Sequence, residues 1–305
     1  MLELTNIQTE QRNERTAKID QVSTLEMVRM INKEDKVVAD AVEQVLPQIA
    51  RAVDVIYEKL AAGGRLFYCG CGTSGRLGVL DAAECPPTFG TDPELVQALM
   101  AGGTAAFTKA IEGAEDDYIM GGEDLKKAGF TAADVLVGIA ASGRTPYVIG
   151  AMEYAKKLGA KVISLTCCPA SKIDELADIG ISPMPGPEAI TGSTRMKSGT
   201  AQKMVLNMLS TGVMIKLGKV YGNLMVDVKA TNEKLVERAV SIVRTATGTD
   251  NITARRALSQ CGFSAKNAIL MLLCGVDAEQ AKMMLDNNGG RIADAVKTKQ
   301  GQEAE

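Results

Sequence analysis

Cys69-Gly70-Cys71-Gly72-Thr73-Ser74-Gly75-Arg76, directly after Arg65-Leu66-Phe67-Tyr68, is the stretch that decides the fold. A short apolar strand runs into a loop of glycines and hydroxyls, and a helical pattern follows. The same order recurs in Ala141-Ser142-Gly143-Arg144-Thr145-Pro146, which follows the apolar run Asp134-Val135-Leu136-Val137-Gly138-Ile139-Ala140. Strand, small hydroxyl-rich loop, helix is the order that builds a phosphate pocket. Backbone N–H groups at the helix N-terminus point at an anion, glycine lets the chain approach, and hydroxyls add donors. Two such loops on one parallel sheet are placed to hold a sugar phosphate across the strand ends.

Working outward, Val38, Val42, Val45, Ile49, Val53, Ile56 and Leu60 recur at helical spacing and predict a helix over 34–60. Pro47 kinks or divides it, and Gly63-Gly64 stops it. The first loop opens a helix over 75–85, broken by Pro86-Pro87. Gly102-Gly103-Thr104 starts a helix over 105–112, and an amphipathic stretch then reaches Gly129. Pro146 sits in the first turn of a helix that runs to Leu158. Strands at 161–166 and 179–182 bracket a short helix around 172–177. This alternation predicts an α/β fold, a doubly wound parallel sheet flanked by helices. A third hydroxyl- and cation-rich loop, Ile190-Thr191-Gly192-Ser193-Thr194-Arg195-Met196-Lys197-Ser198-Gly199-Thr200, opens an apolar helix to about residue 217. Short helices over 231–247, 251–260, 264–273 and 278–286 make a small helical C-terminal domain, with a charged, frayed tail over 297–305. The expected division is a polar arm over 1–35, a phosphosugar-binding domain over 36–225 and the helical domain over 226–305.

Composition narrows the function. The 305-residue chain is 46% hydrophobic with a net charge of -3, so it has ample core and no basic field for nucleic acid. Trp is absent and aromatics are 4%, which removes base-stacking platforms. No apolar run is long enough to span a membrane, and Met1-Leu2-Glu3-Leu4-Thr5 lacks the form of a signal peptide. Seven cysteines, an odd number, fit a reducing cytoplasm. Cys69 and Cys71, and the adjacent Cys167 and Cys168, lack zinc-knuckle spacing and read as small buried residues. With no histidine there is no Ser-His-Asp triad, Cys-His dyad or His metal site, and acid–base chemistry falls to Glu, Asp, Lys, Tyr or Cys. Gly70 to Gly75 fits a dinucleotide fingerprint formally, but no acidic residue ends the next strand.

Together these residues resemble the sugar isomerase (SIS) domain, whose phosphosugar-binding pair is Gly-Thr-Ser-Gly-Arg and Ser-Gly-Arg-Thr-Pro. Within it, the chain is similar to the N-acetylmuramic acid 6-phosphate etherases, which are related to glucokinase regulatory protein. Four stretches carry the likeness: Thr9-Glu10-Gln11-Arg12-Asn13; Leu77 through Glu84-Cys85-Pro86-Pro87 to Phe89; Ala110-Ile111-Glu112-Gly113-Ala114-Glu115-Asp116-Asp117; and Thr191 to Thr200. The resemblance implies a cytoplasmic lyase of cell-wall amino-sugar recycling. It would cleave the D-lactyl ether at C3 of N-acetylmuramic acid 6-phosphate, act without cofactor or metal, and form a homodimer with sites near the subunit interface.

That chemistry asks for one group to take the C2 proton of the ring-opened aldehyde and another to help the lactyl oxygen leave and then activate water. Two carboxylates in opposite protonation states meet it. The resemblance maps them onto Glu84, as acid and then base at the ether oxygen, and Glu115, at the C2 proton. Spacing alone leaves plainer readings open. Glu84 ends a helix as a solvated carboxylate does, and Glu115 with Asp116 and Asp117 would cap the next helix. The candidate phosphosugar-binding residues are Thr73, Ser74, Gly75, Ser142, Gly143, Thr145, Ser193 and Lys197. Their plainer roles are turn-forming and N-capping. Rival functions are a phosphosugar isomerase on the same fold and a non-catalytic phosphosugar sensor like glucokinase regulatory protein.

Overall fold

The computed structural model describes residues 8–109, 111–228 and 232–303. Ala110 and Thr231, and the outermost residues of the N-terminal arm and the tail, lie outside them. The described chain forms two compact units, Met1–Ala83 with Pro93–Ser210 and Glu84–Asp92 with Thr211–Glu305.

The first unit is built on a five-stranded parallel sheet, β1 (Leu66–Gly70), β2 (Val96–Met100), β3 (Val135–Ile139), β4 (Lys161–Leu165) and β5 (Ile179–Ile181), in the order β2-β1-β3-β4-β5. Every residue of β1 and β3 is buried, which is why both read as continuous apolar runs. They lie side by side, with Cys69 opposite Gly138 and Gly70 opposite Ile139. Helices flank the sheet: α1 (Thr24–Asp35), α2 (Val37–Glu43), α3 (Leu46–Ala61), α4 (Gly72–Phe89), α5 (Tyr118–Lys127), α6 (Pro146–Lys157), α7 (Lys172–Leu176) and α8 (Lys197–Lys216). The α/β class, the parallel sheet and its flanking helices are as expected.

Several boundaries differ from expectation for physical reasons. Pro47 divides the long helix: α2 stops at Glu43, and the proline takes the first turn of α3. Pro86 and Pro87 do not stop α4, which runs on to Phe89. Each removes the donor to the carbonyl four residues back and crowds that carbonyl, yet the helix continues, and Gly90 N–H closes the last turn on the Pro86 carbonyl at 2.9 Å. Strand β2 was not foreseen, because Gln97, Ala98, Leu99 and Met100 are helix formers placed in an edge strand by pairing with β1. The helix expected over 105–112 is a single 3-10 turn, Thr104–Phe107. The Arg76 guanidinium occupies the carbonyls of Ala106 (2.8 Å) and Phe107 (2.9 Å), which a further helical turn would need. Polar as it is, the N-terminal segment is not solvated throughout: Thr9, Asn13, Thr16 and Glu34 are buried.

Buried Asp81 braces α4. Its carboxylate accepts from Tyr68 Oη on β1 (2.8 Å) and from Asn207 Nδ2 (2.7 Å) and Ser210 Oγ (3.1 Å) on α8. Burial raises its pKa against these three donors.

The second unit carries a short antiparallel pair, β6 (Val220–Tyr221) with β7 (Leu224–Met225), and helices α9 (Glu233–Thr247), α10 (Asn251–Gln260), α11 (Ala265–Cys274), α12 (Ala278–Asn287) and α13 (Ile292–Glu303). Val240, Val243, Leu258, Ile269 and Leu270 are at its core. The expected frayed tail is helical to Glu303, because Ile292 and Ala295 anchor α13 in that core.

Candidate active site

The two loops leave the C-terminal ends of β1 and β3, neighbouring strands at the point where the strand order reverses. In open α/β sheets that reversal leaves a crevice, and ligands bind there. Gly75 lets α4 descend onto β1: a Cβ on it would lie 2.7 Å from the Gly70 carbonyl oxygen. Thr73, beside it, is half-buried and lies against Gly199 of α8. Ser74 is buried and donates to Gln202 Oε1 at 2.8 Å.

In the second loop, Gly143 has φ +66°, and a Cβ there would sit 2.0 Å from Ser171 Oγ. Thr145 is the N-cap residue of α6, yet its side chain makes no capping hydrogen bond. The plain N-cap role therefore does not absorb this hydroxyl. Ser142 is half-buried.

Glu115 stands in a 3-10 turn, Ala114–Asp116, before α5. It lines a cavity of about 310 Å³ with Cys71, Gly72, Arg76, Met100 and Glu112 among others, at the mouth of the first loop. Capping α5 falls to Asp117, whose Oδ1 accepts from Met120 N–H at 2.9 Å, so Glu115 is not needed for it. Burial, followed by the charge of Glu115, pushes the Cys71 thiol up to about 12, which keeps it protonated and a poor nucleophile. Glu84 lies on the last turns of α4, within the segment Glu84–Asp92 of the second unit, and its side chain is exposed, as is that of Glu115.

In the third loop, Ser193 is half-buried and its carbonyl accepts from Met196 N–H at 3.2 Å. Lys197, the first residue of α8, is fully buried, and its Nζ donates to Glu34 Oε2 at 2.8 Å. Glu34 also accepts from the Arg15 guanidinium and from Asn13 Nδ2. Chiefly through Arg15, and further through Lys197 and Asn13, its carboxyl is held down at about 2 despite burial. Buried Glu188 accepts from the N–H groups of Lys197 and Ser198 and from Ser198 Oγ, capping α8. Among the described residues, no group of three or more His, Cys, Asp or Glu side chains is placed to hold a metal ion. No single described helix is long and apolar enough to cross a membrane.

The glucokinase regulatory protein N-terminal SIS domain matches residues 48–156, the SIS domain matches 123–212, and the C-terminal lid domain of glucokinase regulatory protein matches 222–268. An N-acetylmuramic acid 6-phosphate etherase of Aliivibrio fischeri is 58% identical over 97% of this chain and 98% of its own length. One from Clostridium beijerinckii is 57% identical over 97% of both. The chain belongs to the N-acetylmuramic acid 6-phosphate etherase family. A crystal structure from Bacteroides fragilis, described as a phosphosugar isomerase involved in capsule formation, aligns with TM-score 0.50 and 19% identity over 66% of this chain and 95% of its own. It shares the fold of the etherase family's sheet-bearing part.

Sequence reasoning missed three residues around the site of this etherase-family chain: Gln202, Glu34 and Glu188. Each is a buried polar group, and only the polar position of Gln202 within the apolar stretch of α8 offered any signal.

Proposed function

We propose that the protein is a carbon–oxygen lyase that cleaves the D-lactyl ether of N-acetylmuramic acid 6-phosphate, giving N-acetylglucosamine 6-phosphate and D-lactate in cell-wall amino-sugar recycling. The end-to-end match to etherases at 58% identity carries this reading. The phosphate is held by the loops beyond β1 and β3, through Thr73, Ser74, Gly75, Ser142, Gly143 and Thr145, with Ser193 lining the pocket. Lys197 contributes by fixing the start of α8 beneath the third loop. Opening the sugar to its aldehyde acidifies C2. The Glu115 carboxylate takes the C2 proton, the C3–O bond breaks, and the lactyl oxygen takes a proton from the Glu84 carboxylic acid. An α,β-unsaturated aldehyde and D-lactate result. The Glu84 carboxylate then takes a proton from water as its oxygen adds to C3, and C2 recovers a proton from Glu115.

On this reading the enzyme works in the cytoplasm as a homodimer. Seven free cysteines support the reducing compartment. Exposed Phe107, in the lining of a cavity of about 630 Å³ with Val79, Leu99 and Met100, marks the surface assigned to the second copy.

Incubating the purified protein with N-acetylmuramic acid 6-phosphate and assaying D-lactate tests the reading. Lactate from wild type and none from Glu84→Gln is the expected result. Glu115→Gln should also lose exchange of the C2 proton with solvent deuterium. Tight phosphosugar binding with no lactate would replace the lyase with a sensor.

A further inference from the structure

The substrate read for this site carries a phosphate on C6 and a carboxylate on the lactyl group at C3. The loops beyond β1 and β3 take the phosphate. The carboxylate needs a receptor of its own, close to Glu115, because C3 adjoins the C2 carbon whose proton Glu115 takes. Glu112 and Glu115 line one cavity of about 310 Å³. Two acids with no cation beside them would repel the lactyl carboxylate.

Among the residues lining that cavity, Arg76 is the cation. Its backbone follows Gly75, whose close approach to the Gly70 carbonyl pins the start of α4 on β1. Its guanidinium is braced by the 3-10 turn Thr104–Phe107: Nε donates to the Phe107 carbonyl at 2.9 Å and Nη2 to that of Ala106 at 2.8 Å. Both acceptors are neutral, so the charge is not cancelled. Among the described residues no carboxylate lies within ion-pair distance of it, and nothing accepts from Nη1. A half-buried guanidinium held in this way loses little freedom on meeting a carboxylate, and its planar fork matches one. Buried Met100 and Ala106, with Ile111, give the same cavity an apolar wall. A lactyl group is a carboxylate next to a methyl, and the cavity offers a surface for each.

We propose that Arg76 receives the lactyl carboxylate and sets specificity for the lactyl ether over phosphosugars that lack it. The proposal rests on the reading of this cavity as the place where Glu115 takes the C2 proton. Bracing the 3-10 turn is the plainer role of this arginine, but it occupies Nε and Nη2 alone.

A cycle of two enzymes and two substrates tests it. The substrates are N-acetylmuramic acid 6-phosphate and its lactamide, in which a neutral amide of similar size replaces the carboxylate. The enzymes are wild type and Arg76→Met, and formation of N-acetylglucosamine 6-phosphate is followed. Wild type is expected to favour the acid by about 10–100-fold in kcat/KM, the worth of a charge-assisted forked bond. In Arg76→Met that preference should fall by about tenfold or more, most of it through KM for the acid. Any intrinsic difference in reactivity between the two ethers cancels in the comparison. Arg76→Lys, which keeps the charge and loses the fork, should lose about fivefold of the preference, and it runs the same cycle if the methionine variant does not fold. An equal fall on both substrates, with the preference unchanged within about twofold, overturns the proposal: the arginine would then only brace the turn or bind phosphate. A wild type that does not favour the acid overturns it without any variant. No turnover of the acid by wild type removes the etherase reading, and the proposal falls with it.

Discussion

Replacing Glu34 by glutamine should cost far more stability than replacing its buried partner, although the two share one ion pair. Lys197 is 0% and Glu34 2% exposed, whereas the Arg15 side chain is 58% exposed. Glu34 accepts four bonds: two from the Arg15 guanidinium, one from Asn13 Nδ2 and one from Lys197 Nζ. In Glu34→Gln the Lys197 ammonium stays inside the protein facing a neutral amide. Stranding a buried charge in this way costs about 3–5 kcal/mol. In Lys197→Met the carboxylate keeps Arg15 and Asn13, the volume is nearly conserved, and one bond of four is lost, for about 1–2 kcal/mol. At roughly 2–4 °C per kcal/mol for a unit of this size, calorimetric Tm should fall by about 6–20 °C in the first variant and about 2–8 °C in the second. The double variant, which strands nothing, should be more stable than Glu34→Gln. A Lys197→Met loss equal to or greater than that of Glu34→Gln, or additivity in the double variant, would refute the reasoning. Either would mean that Arg15 and Asn13 do not satisfy the carboxylate by themselves.

Two further outcomes follow from the same region and from the second loop. Glu34 is held at about 2, from an ordinary 4.5, so it contributes stability that is fully present above about pH 4.5 and is lost as pH falls toward 2. Tm measured between pH 6 and about pH 3 should therefore fall less in Glu34→Gln than in wild type, and equal falls would remove Glu34 from the acid response. Gly143→Ala asks a residue with a Cβ to adopt φ +66° and to occupy space 2.0 Å from Ser171 Oγ and 2.3 Å from its Cβ. The loop must move, at a cost of about 2–4 kcal/mol, and KM for the phosphosugar should rise severalfold; an unchanged KM would take this loop out of substrate binding.

What the sequence made legible was local. The β1 and β3 loops are short runs in which strand, glycine, hydroxyl and helix start follow one another within ten residues or so, and physics links neighbours of that kind directly. β2 was hidden because its residues prefer helix and only the partner strand makes them extended. The polar partners were hidden for a different reason. Ser74 meets Gln202 across 128 residues, and Glu34 meets Lys197 across 163. A glutamate inside an amphipathic helix gives no local sign of whether it faces water or a buried amine. That limit bears on function, because Lys197 was marked for the substrate by its charge and its loop, and those two properties equally suit it to a structural ion pair. The same ambiguity covers Asn13 and Arg15. The motif Thr9–Asn13 looked like part of a solvated arm, yet Asn13 Nδ2 also reaches the Pro187 carbonyl at 3.1 Å and Thr16 Oγ1 reaches that of Ala189 at 2.8 Å. These bonds grip the chain just ahead of the third loop, while Lys197 grips it just behind. The N-terminal segment is thereby tied to both stems of a loop that bears the candidate Ser193, which gives it a structural role in holding that loop.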